Sequence, residues 1–131
     1  MTETLSIGQV AERTGLSVHA LRFYEREGLF ADEVRRGPAG RRTYTEDDVH
    51  WLTVCTRFRA SGMPLTVIRE YVRLIREGAG NEKDRLELLK AHQRRVREQI
   101  EELHACLDVI DFKVQAYEDH LAQGTAGRLW T

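Results

Sequence analysis

The chain has 131 residues, 41% of them apolar and 31% charged, with a formal net charge of -1; this is room for one ordinary domain, or a small domain plus an arm, and it excludes a uniformly basic DNA-coating protein while permitting a local basic patch. Its two cysteines, Cys55 and Cys106, lie in different predicted helices, which excludes a disulfide framework and fits a reduced, cytoplasmic chain. The opening Met-Thr-Glu-Thr-Leu has neither the basic nor the apolar region of a signal peptide, and no apolar run approaches the roughly 18 to 20 residues of a membrane helix, so no membrane partner is expected.

Ser6 is a good N-cap, and Gln9 completes a capping box. Ile7, Val10 and Ala11 then share one helical face, and Gly15 ends the helix as a left-handed C-cap does. Ser17 caps a second helix whose buried stripe is Ala20, Leu21, Tyr24 and Leu29, closed by Gly28. Two short helices about a glycine-containing turn outline a helix-turn-helix, although any small pair of antiparallel helices would read alike. Between Val34 and Tyr44 stand Arg35, Arg36, Arg41 and Arg42 and no acid. The Gly37-Pro38 and Ala39-Gly40 pairs predict a tight turn between two short extended arms. Arginines on such a hairpin suit phosphate contact or minor-groove insertion, and directly after a recognition helix the hairpin reads as a wing.

Thr45 with Asp48 opens a third helix. Val49, Leu52, Cys55 (or Thr56) and Phe58 supply its apolar side, and Ser61-Gly62 ends it. Met63-Pro64 leads into a fourth, with Leu65, Ile68, Val72 and Ile75 in register, broken at Gly78-Ala79-Gly80-Asn81. From Glu82 the pattern changes. Leu86, Leu89, Gln93, Val96, Ile100, Leu103, Leu107, Ile110, Val114, Tyr117 and Leu121 step by three and four, a heptad seam with one polar member. Residues 82 to 104 carry six acids and six Lys or Arg beside that seam. One helix of about 40 residues cannot bury such a stripe against itself, so a second copy is the simplest partner, with Val96, Ile100, Leu103, Leu107, Ile110 and Val114 as pairing residues. The expected organisation is a reader head over 1–80, a dimerisation helix over 81–123 and a loose tail over 124–131. No Ser/His/Asp or Cys/His set, phosphate-cradling glycine loop or paired zinc-ligand motif is visible, so neither an enzyme nor a resident cofactor or metal is expected.

Several stretches resemble a known family. Leu5 to Ala11, Thr14-Gly15-Leu16-Ser17 and Leu21-Arg22-Phe23-Tyr24-Glu25-Arg26-Glu27-Gly28-Leu29 are similar to the opening of MerR-family transcription regulators. Gly40-Arg41-Arg42-Thr43-Tyr44 followed by Glu46-Asp47-Asp48-Val49 resembles their wing and third-helix start, with Arg41 where the family usually has an aromatic. The resemblance continues through Gly62-Met63-Pro64-Leu65 into the long helix. It implies a mainly α fold, a winged helix-turn-helix followed by a long helix forming an antiparallel coiled-coil dimer. It also implies binding to promoter double-stranded DNA, which the dimer bends and untwists so that RNA polymerase engages both promoter elements. By position, Val18 and His19 then face base edges, Arg22, Tyr24, Arg42 and Tyr44 hold phosphates, and Arg35, Arg36 and Arg41 assist on the wing.

The stretch Trp51 to Pro64, with its single cysteine, and the end Leu107 to Lys113 with Tyr117-Glu118 are similar to the thiol-dependent subgroup that responds to aldehydes and other electrophiles, the NmlR- and AdhR-like regulators. On that likeness Cys55 is the candidate sensor thiol. A thiolate is the reactive form, and Arg59, one turn on, would favour it. The alternative is a metal- or other small-ligand-sensing regulator. His104, Cys106 and His120 are the available donors, but Cys106 is a lone thiol where tight soft-metal sites want at least two.

Overall fold

In chain order the computed structural model, which describes residues 4–125 and 127, runs α1 (Ile7–Thr14), α2 (Val18–Arg26), β1 (Arg35–Arg36), β2 (Arg42–Thr43), α3 (Glu46–Ala60), α4 (Leu65–Glu77) and α5 (Glu82–Gln123). The helix starts follow from local capping chemistry. Ser6 Oγ accepts from the Gln9 N–H at 3.1 Å while the Ser6 N–H donates to Gln9 Oε1 at 2.8 Å, the capping box read from the sequence. Ser17 Oγ accepts from the Ala20 N–H, and Thr45 and Asp48 form a second box at the start of α3. Between α1 and α2 the chain reverses at Gly15, whose φ of 76° lies in the left-handed region and whose N–H returns to the Ala11 carbonyl. A side chain there carries a conformational penalty, which is why glycine makes this turn.

The two strands pair antiparallel, Arg35 with Thr43 and Arg36 with Arg42. Their loop closes through Gly40 N–H to the Gly37 carbonyl at 2.9 Å and Gly37 N–H to the Arg41 carbonyl at 2.7 Å, with Gly40 at φ 77°. Leu5 and Tyr44 exchange backbone hydrogen bonds of 2.7 and 2.8 Å. The segment entering α1 is thereby sewn to the hairpin as a one-residue third strand.

By its contacts the chain falls into two units, Met1–Lys90 and Ala91–Thr131. α5 begins at Glu82, just past the expected boundary at residue 80, and Leu88 near its start packs against the core of the first unit. That core holds Val10 of α1, Leu21 and Tyr24 of α2, Leu29, Phe30 and Tyr44 of the connections, Leu52 and Cys55 of α3, and Ile68 and Val72 of α4. Burying each such Leu or Ile is worth about 1.5 to 3 kcal/mol relative to exposure, so helix packing holds this head together. Trp51, which the apolar side read for α3 did not include, is 8% exposed. Its indole Nε1–H donates to the Leu29 carbonyl at 2.6 Å, and its ring packs on Tyr71. Arg76 donates to the Phe30 carbonyl, and Arg69 to the Glu27 carbonyl and carboxylate, so α4 holds the chain that leaves α2.

The second unit is the remainder of α5 and the residues after it. The tail expected from Gly124 lies largely outside the described residues. Its first two residues end the helix, Gly124 at φ 73° and the Thr125 N–H returning to the His120 carbonyl at 2.8 Å. Within this unit Ile100, Leu103, Leu107, Ile110 and Val114 are exposed and Val96 is half-buried. Among the described residues no helix is long and apolar enough to cross a membrane.

Candidate nucleic-acid interface

At the start of α2 Val18 is half-buried, while His19 and Arg22 are exposed. His19, Arg22 and Arg26 recur at steps of three and four and so share one helical face. Arg26 is held over the Phe23 ring at 5.8 Å. The first turn of this helix thus offers an imidazole and a guanidinium to whatever approaches.

The wing divides its arginines by the strand's own alternation, in which neighbouring side chains point to opposite faces. Arg36 lies on one face. Together with Arg22, Gly40, Arg41, Arg42, Ser6 and Ile7 it lines an open groove of about 470 Å³. Arg35 lies on the other. It lines a recess with Asp32, Glu33, Asp47 and Asp48 and not the groove. Four guanidiniums around one groove with no acid in its lining make a site for an anion with several oxygens. Ser6 and Ile7 add the N-terminal end of α1, where the helix dipole also favours negative charge. Arg36 Nη1 donates to the Gly40 carbonyl at 2.7 Å, which ties that side chain to the turn.

Arg42 is held as well. Its Nε–H lies 2.7 and 2.5 Å from the two carboxylate oxygens of Glu25, with side-chain exposures of 37% for Arg42 and 26% for Glu25. This uses the Nε edge of a fork that carries five N–H donors. No sequence signal marks this pair, since the partners are 17 residues apart and Glu25 sits on a helix face with no periodic cue. Ser6 and Ile7 were also missed as groove residues. Their signal was the N-cap itself, which marks a helix end able to face an anion.

Two expected roles are corrected, and the burial of a third residue bears on its expected role. Tyr44, expected to hold a phosphate, has no exposed surface. Its ring packs on Phe30 at 5.8 Å, its hydroxyl is enclosed without a partner among the described residues, and burial pushes its pKa up. Tyr24, expected in the same role, is 7% exposed and belongs to the same core, its pKa likewise raised chiefly by burial. Both rings fill the space between α2, the wing and α3, where apolar area counts for more than a surface hydroxyl. Cys55, the candidate sensor thiol with Arg59 one turn on, is fully buried. Burial pushes its thiol up to about 11, and Arg59 offsets only part of that. The desolvation of a charged sulfur outweighs one partly solvated cation. Cys106 is exposed. Within one chain, no three His, Cys, Asp or Glu side chains of the described residues converge as a metal-binding set, and His120 Nδ1 is 2.7 Å from Thr125 Oγ1.

Comparison with known proteins places this geometry. Residues 5–75 match the family described as MerR HTH family regulatory protein, and residues 49–111 match the one described as MerR, DNA binding. An uncharacterized HTH-type transcriptional regulator of Haemophilus influenzae is 32% identical, over 93% of this chain and 90% of its own. The HTH-type transcriptional regulator AdhR of Bacillus subtilis is 34% identical over 72% of this chain and 66% of its own. Among solved structures, HiNmlR, described as a MerR family regulator lacking the sensor domain and bound to promoter DNA, superposes with a TM-score of 0.83 at 30% identity, covering 98% of this chain and 97% of that one.

Proposed function

The chain belongs to the MerR family of DNA-binding transcription regulators, not to an enzyme family, and from that premise we propose that it acts as a homodimer that grips promoter DNA with two heads and distorts it so that RNA polymerase can engage. The observation that carries this reading is the groove in which Arg22, Arg36, Arg41 and Arg42 converge beside the first turn of α2. Phosphate contacts of this kind fix register on the duplex, and base edges are then read by His19 and Val18. Pairing through α5 is supported by its exposed seam, which includes Ile100, Leu103, Leu107 and Ile110. Deforming the DNA is a way to store a signal in the duplex itself. The test is binding of Arg42→Ala to a labelled duplex over a salt series. Affinity should fall across all sequences, and the slope of log affinity against log salt should drop by about one unit. An unchanged slope would remove Arg42 from the phosphate contacts.

The proposed trigger is an electrophile that adds to Cys55. The likeness to AdhR and HiNmlR supports it, and so does the position of Cys55 in a fully packed site of α3, where added bulk would force repacking of the head. A standing thiolate is not required: the adduct forms when α3 opens locally. Transcription in vitro from the promoter adjoining the chain's own gene, with and without formaldehyde or methylglyoxal, should be induced in the wild type and not in Cys55→Ser. Equal output in all four reactions, with DNA still bound, would sink the thiol switch and direct attention to metals or other small ligands.

A further inference from the structure

We infer that Glu25 is a positioning residue for DNA binding: it holds Arg42 by the Nε edge from behind and thereby aims the rest of the guanidinium into the groove. The inference rests on the DNA-binding reading above and concerns one acid that the reading leaves unused. Glu25 lines a separate recess with Gly28, Phe30, Glu33, Val34 and Arg76, while Arg42 lines the groove with Arg22, Arg36 and Arg41. The guanidinium is therefore a plate between two compartments, with a carboxylate on one edge. Both carboxylate oxygens lie within hydrogen-bond reach of Nε, at 2.7 and 2.5 Å. Neither partner is fully solvated, so the pair is less screened than a surface ion pair. Arg42 is also anchored through the backbone, since it pairs with Arg36 across the hairpin. A long side chain fixed at both ends does not lose rotamer freedom again when a phosphate arrives.

The alternative is simple competition. A carboxylate beside a phosphate site repels the phosphate and neutralises the arginine, so removing it should tighten binding. The two accounts predict opposite signs for one substitution. Glu25→Ala, Glu25→Gln and Arg42→Ala, and the double variant of Glu25→Ala with Arg42→Ala, would be titrated against a fluorescein-labelled duplex of mixed sequence over a salt series. Thermal unfolding by circular dichroism would run beside each, so that only variants that melt like the wild type are compared.

Positioning predicts that Glu25→Ala weakens binding roughly threefold to tenfold although it makes the protein more positive, and that the salt slope falls by about one unit, as it does for Arg42→Ala. Glu25→Gln, whose amide oxygen still accepts from Nε, recovers most of that loss. In the Arg42→Ala background Glu25→Ala weakens binding no further. Tighter binding or a steeper slope for Glu25→Ala overturns the inference, as does an effect that persists without Arg42. If Arg42→Ala itself leaves binding and slope unchanged, the groove is not a phosphate seat and the DNA-contact reading of the wing falls with it. If Arg42→Ala weakens binding and Glu25→Ala does not, only the positioning role falls.

Discussion

Burial decides which of the chemically suggestive side chains is free to act. Tyr24, Tyr44 and Cys55 carry polar or reactive atoms, yet each lies in the core of the head; helical spacing had already put Tyr24 in the buried stripe of α2, whereas the short hairpin offered no such periodicity for Tyr44. That His19, Arg22, Arg36, Arg41 and Arg42 would stay out of the core was legible, because polar and charged side chains at a helix start or on a hairpin rarely enter one. Arg35 was not separable from Arg36 until the strand register placed it beside Asp32, Glu33, Asp47 and Asp48. Cys55 yields a prediction at this scale. With its thiol pushed up to about 11, only about one molecule in ten thousand carries the thiolate in place at pH 7. Alkylation in a Cys106→Ser background, followed by mass spectrometry against pH, tells apart the two routes to reaction. Reaction through local opening exposes an ordinary thiol, so the rate should rise about tenfold per pH unit and level off near 8.5 or so. A rise that continues to about 11 would mean that Cys55 reacts where it stands and that opening of α3 is not involved.

Elements were more legible than residues because the signals that begin and end them are local. The Ser6–Gln9 and Thr45–Asp48 boxes, the Gly15 turn and the Gly37–Gly40 loop all form within a few residues of chain. What joins elements was silent: the Leu5–Tyr44 bridge, the Trp51 indole on the Leu29 carbonyl and the Glu25–Arg42 pair link residues 17 or more apart. The turn between α1 and α2 can be tested alone. A Cβ at Gly15 would meet nothing within 4 Å, so Gly15→Ala isolates the cost of a left-handed backbone. It should lower unfolding free energy by about 1 kcal/mol, measured by urea denaturation. Gly15→Asn should recover part of that, because asparagine tolerates the conformation better. An unchanged midpoint for Gly15→Ala would show that the turn relaxes out of φ 76° at no cost.

At the scale of the whole molecule, the head and the long helix obey different rules. In the head, buried area accounts for stability. In the second unit Leu103 and Leu121 are 67% and 68% exposed, so a single chain buries too little there to explain why these residues are apolar. The heptad spacing made this legible from sequence, since a seam of period 3.5 is a statement about a partner. Replacing Ile100 and Leu107 together with Lys places charges in that seam. Light scattering after size exclusion should then report a monomer, with operator affinity much reduced because two heads no longer bind as one. Dimers that persist at wild-type affinity would show that pairing uses another surface of α5.

The bridge between Leu5 and Tyr44 has a practical consequence for anyone handling this protein. Residues 6 and 7 line the arginine groove, while Thr4 lines the recess of Asp32, Glu33, Asp47 and Asp48 on the other face of the hairpin, so the chain crosses from one to the other at the bridge. A purification tag joined ahead of Leu5 therefore starts on the acidic side, held off the groove by this one pair of backbone hydrogen bonds. Titrations against DNA before and after cleaving the tag should agree as long as the bridge stays closed.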